Sequence, residues 1–215
     1  MAKSNDSDYF NCYHPANYQS RALTSKSVDP HGLEANDPFE PNVTLAVNTL
    51  WSFDFIALVD FFHESRCLFY YRLGSGAPEK AVAYLNGQCQ CDTRTVGRND
   101  VHVKHYEVGR RFILRTLPQV TLTKLKYLIE VDTKIYVLAL REFMAEIAWL
   151  ESPSAFGRRV LCDSSLEKVE QELEYLRGGG FSVTDLYHHF RRANISYGQI
   201  GQSAASLGPS TNNLD

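Results

Sequence analysis

An α+β fold is what this sequence predicts: an antiparallel sheet of four to five strands with an early buried helix, then three C-terminal helices, all behind an extended N-terminal arm. Three observations carry that expectation. Short runs rich in Val, Thr, Leu and aromatic residues, closed by turn-forming dipeptides, occupy the first half of the core. Apolar residues at helical spacing occupy the second half. The composition, 44% apolar and 22% charged over 215 residues, is that of a chain able to bury a sizeable core.

The elements follow in order. Residues 43–50 are rich in Val, Thr and Leu and read as a strand. Residues 52–65 are apolar on nearly every face, with Ser52 placed to cap and Asp54 in the first turn, and read as the buried helix. Residues 66–73 are aromatic and end at Gly74-Ser75-Gly76, which suits a strand and turn. Residues 81–86 read as another strand, ended by Asn86-Gly87. Residues 101–108 and 111–117, separated by Gly109-Arg110 and closed by Pro118, read as an antiparallel hairpin. Residues 121–131 fit a helix through Leu122, Leu125, Leu128 and Ile129, and a strand through Leu125, Tyr127, Ile129 and Val131. Residues 134–151 read as a helix with Asp132 as its cap. Residues 164–177 read as a helix too, with a Ser164/Glu167 capping box and apolar Leu166, Val169, Leu173 and Leu176. A last short helix has Ser182 and Asp185 as a second capping box, with Val183, Leu186 and Phe190 facing inward.

Three regions result: an arm over 1–41, one α+β core over 42–200, and a small, polar tail over 201–215 expected to be disordered. The arm carries three basic and six acidic residues, and also Tyr9, Phe10, Tyr13 and Tyr18. Four aromatics in ten residues suit an arm that docks on a neighbouring subunit or back onto its own core.

No apolar leader is visible at the start of the chain, and no apolar run reaches the length of a membrane span. Five cysteines, an odd number, with no secretory signal beside them, predict free thiols in a reducing compartment, cytoplasmic or nuclear. On that reading the glycosylation acceptor patterns at Asn42-Val43-Thr44 and Asn194-Ile195-Ser196 carry no meaning.

Charge gives the main hint about partners. Residues 98–126 hold seven Lys/Arg against two acids, so this stretch is at +5 in a chain at −3. Gathered like charges attract anions. The anion-binding or nucleic-acid-binding candidates are Lys104, Arg110, Arg111, Arg115, Lys124 and Lys126. In the hairpin reading, basic side chains interleave with Tyr106 and Phe112, a surface suited to a single strand. The overall pI near 6.2 weighs against a strongly binding nucleic-acid domain.

Other constellations carry less. Cys89-Gln90-Cys91 with His102 and His105 offers zinc-type ligands. However, one residue between the cysteines is too few for a tight knuckle, and two histidines three apart on a strand face opposite ways. Asp60, His63 and Glu64 share a helix face, but no second Glu/His set exists to complete a carboxylate-bridged metal site. His188-His189-Phe190-Arg191-Arg192 reads as a basic helix C-terminus more readily than as a phosphate contact. No phosphate loop, nucleophile elbow or protease signature occurs.

The expectation is therefore a non-enzymatic, self-associating interaction protein, a scaffold or coat-like subunit. It has an aromatic arm as interface, a basic hairpin for an acidic or nucleic-acid partner, and no cofactor. Two alternatives stand beside it. One is a small-molecule-binding protein or enzyme with a pocket between sheet and helix, reached by Asp54, Asp60 or His63. The other is a single-stranded nucleic-acid-binding protein.

Overall fold

In the computed structural model, residues 17–24, 41–73, 78–91, 117–177 and 182–193 are described. Of these residues 76% are helical and none is in a strand, which overturns the α+β expectation. Eight α-helices occur among the described residues: α1 Tyr18–Thr24, α2 Val43–Trp51, α3 Phe62–Leu73, α4 Pro78–Gln88, α5 Gln119–Leu128, α6 Glu130–Leu150, α7 Asp163–Arg177 and α8 Val183–Ala193. The expected hairpin, up to residue 116, and the tail at 201–215 lie outside the described residues, as do Tyr9, Phe10 and Tyr13 of the arm.

Each misread strand has a local cause. In 43–50, Asn42 accepts a hydrogen bond from the Leu45 amide at 3.0 Å and so caps α2. Ala46 and Leu50, four apart, go into the core while Val43 and Leu45 stay exposed. Cap and spacing together outweigh the modest strand preference of Val and Thr. Ser52, expected to open a helix, instead closes α2: its amide donates to Asn48 O and its hydroxyl to Thr49 O. The next helix therefore starts only at Phe62, after a single 3-10 turn at Val59–Phe61.

The aromatic run 66–73 is helical because its buried positions recur with helical spacing. Glu64, Ser65, Cys67 and Leu68 are buried, while Phe62, Arg66, Phe69 and Tyr70 lie on the opposite, exposed side of α3. In α4, Pro78 takes the first position, where its missing N–H is not needed. Ala81, Leu85 and Cys89 then recur every four residues on the buried side. Asn86-Gly87 falls within the last turn of α4 and makes no hairpin turn. The ambiguous 121–131 segment is helical as α5 up to Leu128, with its first turn hung on the Pro118 carbonyl, and after a turn at Ile129 it enters α6.

The chain divides into two compact units. The first takes Met1–Asp54 and Pro118–Leu138, and so the start of α6. It is held by reciprocal capping. Asn17 adopts a left-handed backbone (φ 51°), which Asn tolerates better than most residues. Its amide donates to the Leu128 carbonyl at the end of α5, while its side-chain oxygen accepts from the Val131 amide at 2.9 Å at the start of α6. In return Asp132, expected to cap its own helix, caps α1. Its carboxylate accepts from the Gln19 and Ser20 amides at 3.0 and 2.7 Å, and from the Ser20 hydroxyl. One short segment thus satisfies the orphan groups of three helix ends.

The second unit takes Phe55–Leu117 and Ala139–Asp215. Its core stacks Phe61 of the 3-10 turn on Phe143 of α6, with ring centroids 5.4 Å apart. Leu68, Leu85, Leu140, Met144, Ile147 and Leu161 are fully buried in the same unit. Ser182 caps α8 by accepting from the Asp185 amide, and Glu170 of α7 reaches the Thr184 amide at 2.9 Å. Helix α7 begins one residue before Ser164, so Ser164 is inside the first turn rather than its cap. The Cys162 carbonyl instead accepts from the Ser165 and Leu166 amides.

Two cysteine pairs correct the expectation of free thiols in a reducing compartment. Cys67 is bonded to Cys89 and Cys91 to Cys162, with Cα atoms 5.8 and 5.4 Å apart. Such pairs point to an oxidising environment. An odd count leaves one cysteine over but does not exclude two pairs; the fifth, Cys12, lies outside the described residues. No helix among the described residues is long and apolar enough to cross a membrane.

Candidate functional site

The outer side of α3 and α4 carries a run of exposed aromatic rings. Residues 62, 66, 69 and 70 fall within roughly a third of the helix circumference at about 100° per residue. Phe62, Phe69 and Tyr70 are 50%, 43% and 39% exposed. Tyr70 stacks on Tyr84 of α4 at 4.1 Å, and Phe69 meets Phe55 at 5.6 Å. Arg66 places its guanidinium 5.9 Å from the Phe62 ring and 5.6 Å from the Tyr84 ring. Rings and guanidinium attract one another through the ring quadrupole. Arg66 itself is exposed, and no carboxylate among the described residues pairs with it.

The buried side of the same helices holds this face in place. Cys67, one residue after Arg66, ties α3 to Cys89 just past the end of α4. Glu64 accepts a hydrogen bond from Ser165 at 2.8 Å and so joins α3 to α7. Cys91, two residues beyond Cys89, is bonded to Cys162 at the head of α7. The rings therefore stand on helices that are covalently fixed to each other and, through Cys91–Cys162, to the head of α7.

Arg72, on the same helix, lies 5.9 Å from the Phe55 ring and pairs with Glu146 of α6. Burial pushes the Glu146 carboxyl up to about 7, the nearby Glu142 adds to the rise, and Arg72 opposes it without winning. Burial raises Glu142 as well. Among the described residues, Glu142 Oε2 and Glu146 Oε2 are buried without a hydrogen-bond partner, a setting that disfavours the charged form. A carboxyl near 7 suits general acid–base work in principle. Here, however, only 5% of the Glu146 side chain is exposed, which closes it to a substrate.

The consequence is a pH dependence of stability. A carboxyl raised in the folded state binds its proton more tightly there than in the unfolded chain, so stability falls as pH rises. For Glu146 the fall runs between about 4.5 and about 7 and amounts to roughly 3 kcal/mol. Urea titrations at pH 5 and pH 8 should show Glu146→Gln losing this component. An equal pH slope in wild type and variant would contradict it.

A second buried carboxylate has a different setting. Glu151 Oε1 accepts from the Val160 and Leu161 amides, both at 2.8 Å. Its Oε2 accepts from the Tyr187 hydroxyl, with Arg191 at 3.6 Å. Burial and the neighbouring Glu151 charge push the Tyr187 hydroxyl up, so it remains a donor. The carboxylate gathers the end of α6, the 160–161 segment and α8 at one point. This is a structural tie, with no exposed reacting group.

No protein-family model, curated protein or solved structure matches this chain.

The residues singled out in the sequence are dispersed. Lys104, Arg110, Arg111 and Arg115 lie outside the described residues, as do His102 and His105. Lys124 is exposed on α5 and Lys126 half-buried, about 200° apart around the helix, so the two do not share a face. Cys89 and Cys91 are each in a disulfide, which removes them as thiolate ligands. No group of three or more metal-ligating side chains is assembled among the described residues. Tyr18 opens α1. His63 and Glu64 do lie on one helix, yet His63 faces the Cys67 sulfur and Glu64 binds Ser165. The sheet that was to wall a pocket is absent from the described residues. In the basic 188–192 run, Arg191 turns to Glu151 and over the Tyr187 ring, and Arg192 donates to the His188 carbonyl. The aromatic face on α3 and α4 was missed altogether. Its signal was present: Phe62, Arg66, Phe69 and Tyr70 recur at i, i+4, i+7 and i+8, a helical period hidden by the strand reading of the aromatic run.

Proposed function

We propose that this chain is a non-enzymatic, self-associating interaction protein of an oxidising environment, and that it associates through the aromatic face of α3 and α4. The observation that carries the reading is the continuity of that face: four rings and one arginine, exposed or half-buried, on two helices locked by a disulfide, with a fifth ring, Phe55, beside them from the segment before α3. Soluble surfaces seldom show so much contiguous aromatic area unless something covers it, and Tyr, Phe and Arg are the residues enriched where proteins meet. Both buried carboxylate sites are enclosed, which favours an interaction role over catalysis.

Light scattering after size exclusion, with absorbance at 260 and 280 nm, tests this. The wild type is expected to run as a defined oligomer that grows with concentration. Phe62→Ser combined with Tyr70→Ser should return it to the 24.4 kDa of one chain with its helical circular dichroism intact. A wild type of 24.4 kDa at every concentration would sink the reading. Co-eluting nucleic acid would move the case to the basic stretch 98–126.

A further inference from the structure

The aromatic face has a definite chemistry at its centre. Arg66, an exposed residue, places its guanidinium between the Phe62 and Tyr84 rings, which restrain it. It has no carboxylate partner among the described residues, whereas Arg72, Arg159 and Arg191 of this unit each meet one; Arg158, over the Phe156 ring, and Arg192, on the His188 carbonyl, share its lack of a carboxylate but do not lie between two rings. A guanidinium fixed by stacking presents its N–H fork to a carboxylate with little further loss of freedom. The rings around it are suited to aromatic side chains arriving beside that carboxylate. The fitting occupant is therefore a short segment with an acid next to aromatics.

This sequence contains such a segment. Asp6-Ser7-Asp8-Tyr9-Phe10 puts two carboxylates directly before two rings, with Tyr13 following. It belongs to the region before Asn17, which carries a single basic residue, Lys3, against Asp6 and Asp8. Charge and ring content thus match the face on both counts.

We infer that the Asp6–Phe10 segment of a second copy of this chain docks on the α3–α4 face, with an Asp6 or Asp8 carboxylate on Arg66 and Tyr9 and Phe10 against Phe62, Tyr70 and Tyr84. The inference rests on the self-association proposed above and names its two partners. Exchange of identical segments between identical faces gives an isologous, closed pair. It also accounts for Arg66 meeting no acid among the described residues: that acid comes from the other copy.

The test uses the full chain and four variants, followed by light scattering and sedimentation over a concentration series. They are deletion of residues 2–15, Arg66→Glu, Asp6→Lys with Asp8→Lys, and the last two combined. The deletion spares Asn17, which the first unit needs. Arg66 is exposed, so its replacement should leave the thermal midpoint and helix content unchanged, and both are measured alongside. The deletion and each charge reversal are expected to weaken self-association by about tenfold or more, since a buried charge pair at the centre of an interface is broken. The combined charge swap should restore much of it. A synthetic peptide of residues 2–16 should compete with assembly.

A wild type that assembles equally well without residues 2–15 and with Arg66→Glu would overturn the inference and leave the self-association reading standing. A wild type that never assembles would overturn both. If Arg66→Glu abolished co-elution of RNA and left protein mass unchanged, Arg66 would be a phosphate contact and the inference would again fail.

Discussion

Reduction of the two disulfides is expected to bring the second unit to the edge of unfolding. Cys67–Cys89 closes a loop of 22 residues and Cys91–Cys162 one of 71. On the chain-entropy account such loops are worth about 3 and about 4 kcal/mol. Domains as a rule have only about 5–15 kcal/mol in total. The two loops follow one another in the chain without overlapping, so their effects should largely add. Denaturant unfolding with and without a phosphine reductant would measure the difference, and the Cys91→Ala/Cys162→Ala pair should reproduce the larger share. Non-reducing peptide mapping should find Cys67 linked to Cys89, and Cys91 to Cys162. An unfolding midpoint indifferent to reductant, or free thiols throughout, would contradict the pairing and the oxidising environment with it.

Replacing Glu151 with Ala should be the most costly single side-chain change in the second unit, at about 3–5 kcal/mol. The carboxylate is the partner of two buried amides and of the Tyr187 hydroxyl, and it faces the Arg191 cation. Alanine would orphan all of them, where the loss of an ordinary hydrogen bond costs about 1 kcal/mol. Glu151→Gln keeps an oxygen for the amides but places an NH₂ toward Arg191, so it should fall between the two. Tyr187→Phe removes one bond and should cost roughly 1–2 kcal/mol. Urea midpoints for the three variants would rank them. An Ala variant as stable as the Phe variant would show that the amides at 160 and 161 find other partners.

What the sequence revealed and what it hid divide by range. The late helices were legible because Leu166, Val169, Val183 and Phe190 recur at helical spacing and Ser182 caps in place. Residues 66–73 were misread because aromatic side chains suit a pleated sheet as well as a helix, and only the side that is buried decides between them. The polar ties could not be read locally at all. Asp132 looked like the cap of the helix it belongs to, and instead caps α1 more than a hundred residues earlier in the chain. Glu64 looked like part of a metal face, and its partner Ser165 is just as remote in sequence. The cysteine pairs span gaps with no spacing signature. For the candidate site, the period of Phe62, Arg66, Phe69 and Tyr70 was in plain view, but it has meaning only once α3 is known to be a helix.

The Asn17 clamp also sets a mechanical boundary. Because Asn17 is bonded both to the end of α5 and to the start of α6, the sixteen residues before it are tethered to a fixed root. Their reach is then a sphere of about 55 Å radius at full extension, near 3.5 Å per residue. In the association proposed above, a segment rooted there would be presented to the neighbouring copy at high local concentration, so each individual contact would need only modest strength. Asn17→Ala would loosen the root, leaving the segment's chemistry intact while blurring where it is delivered.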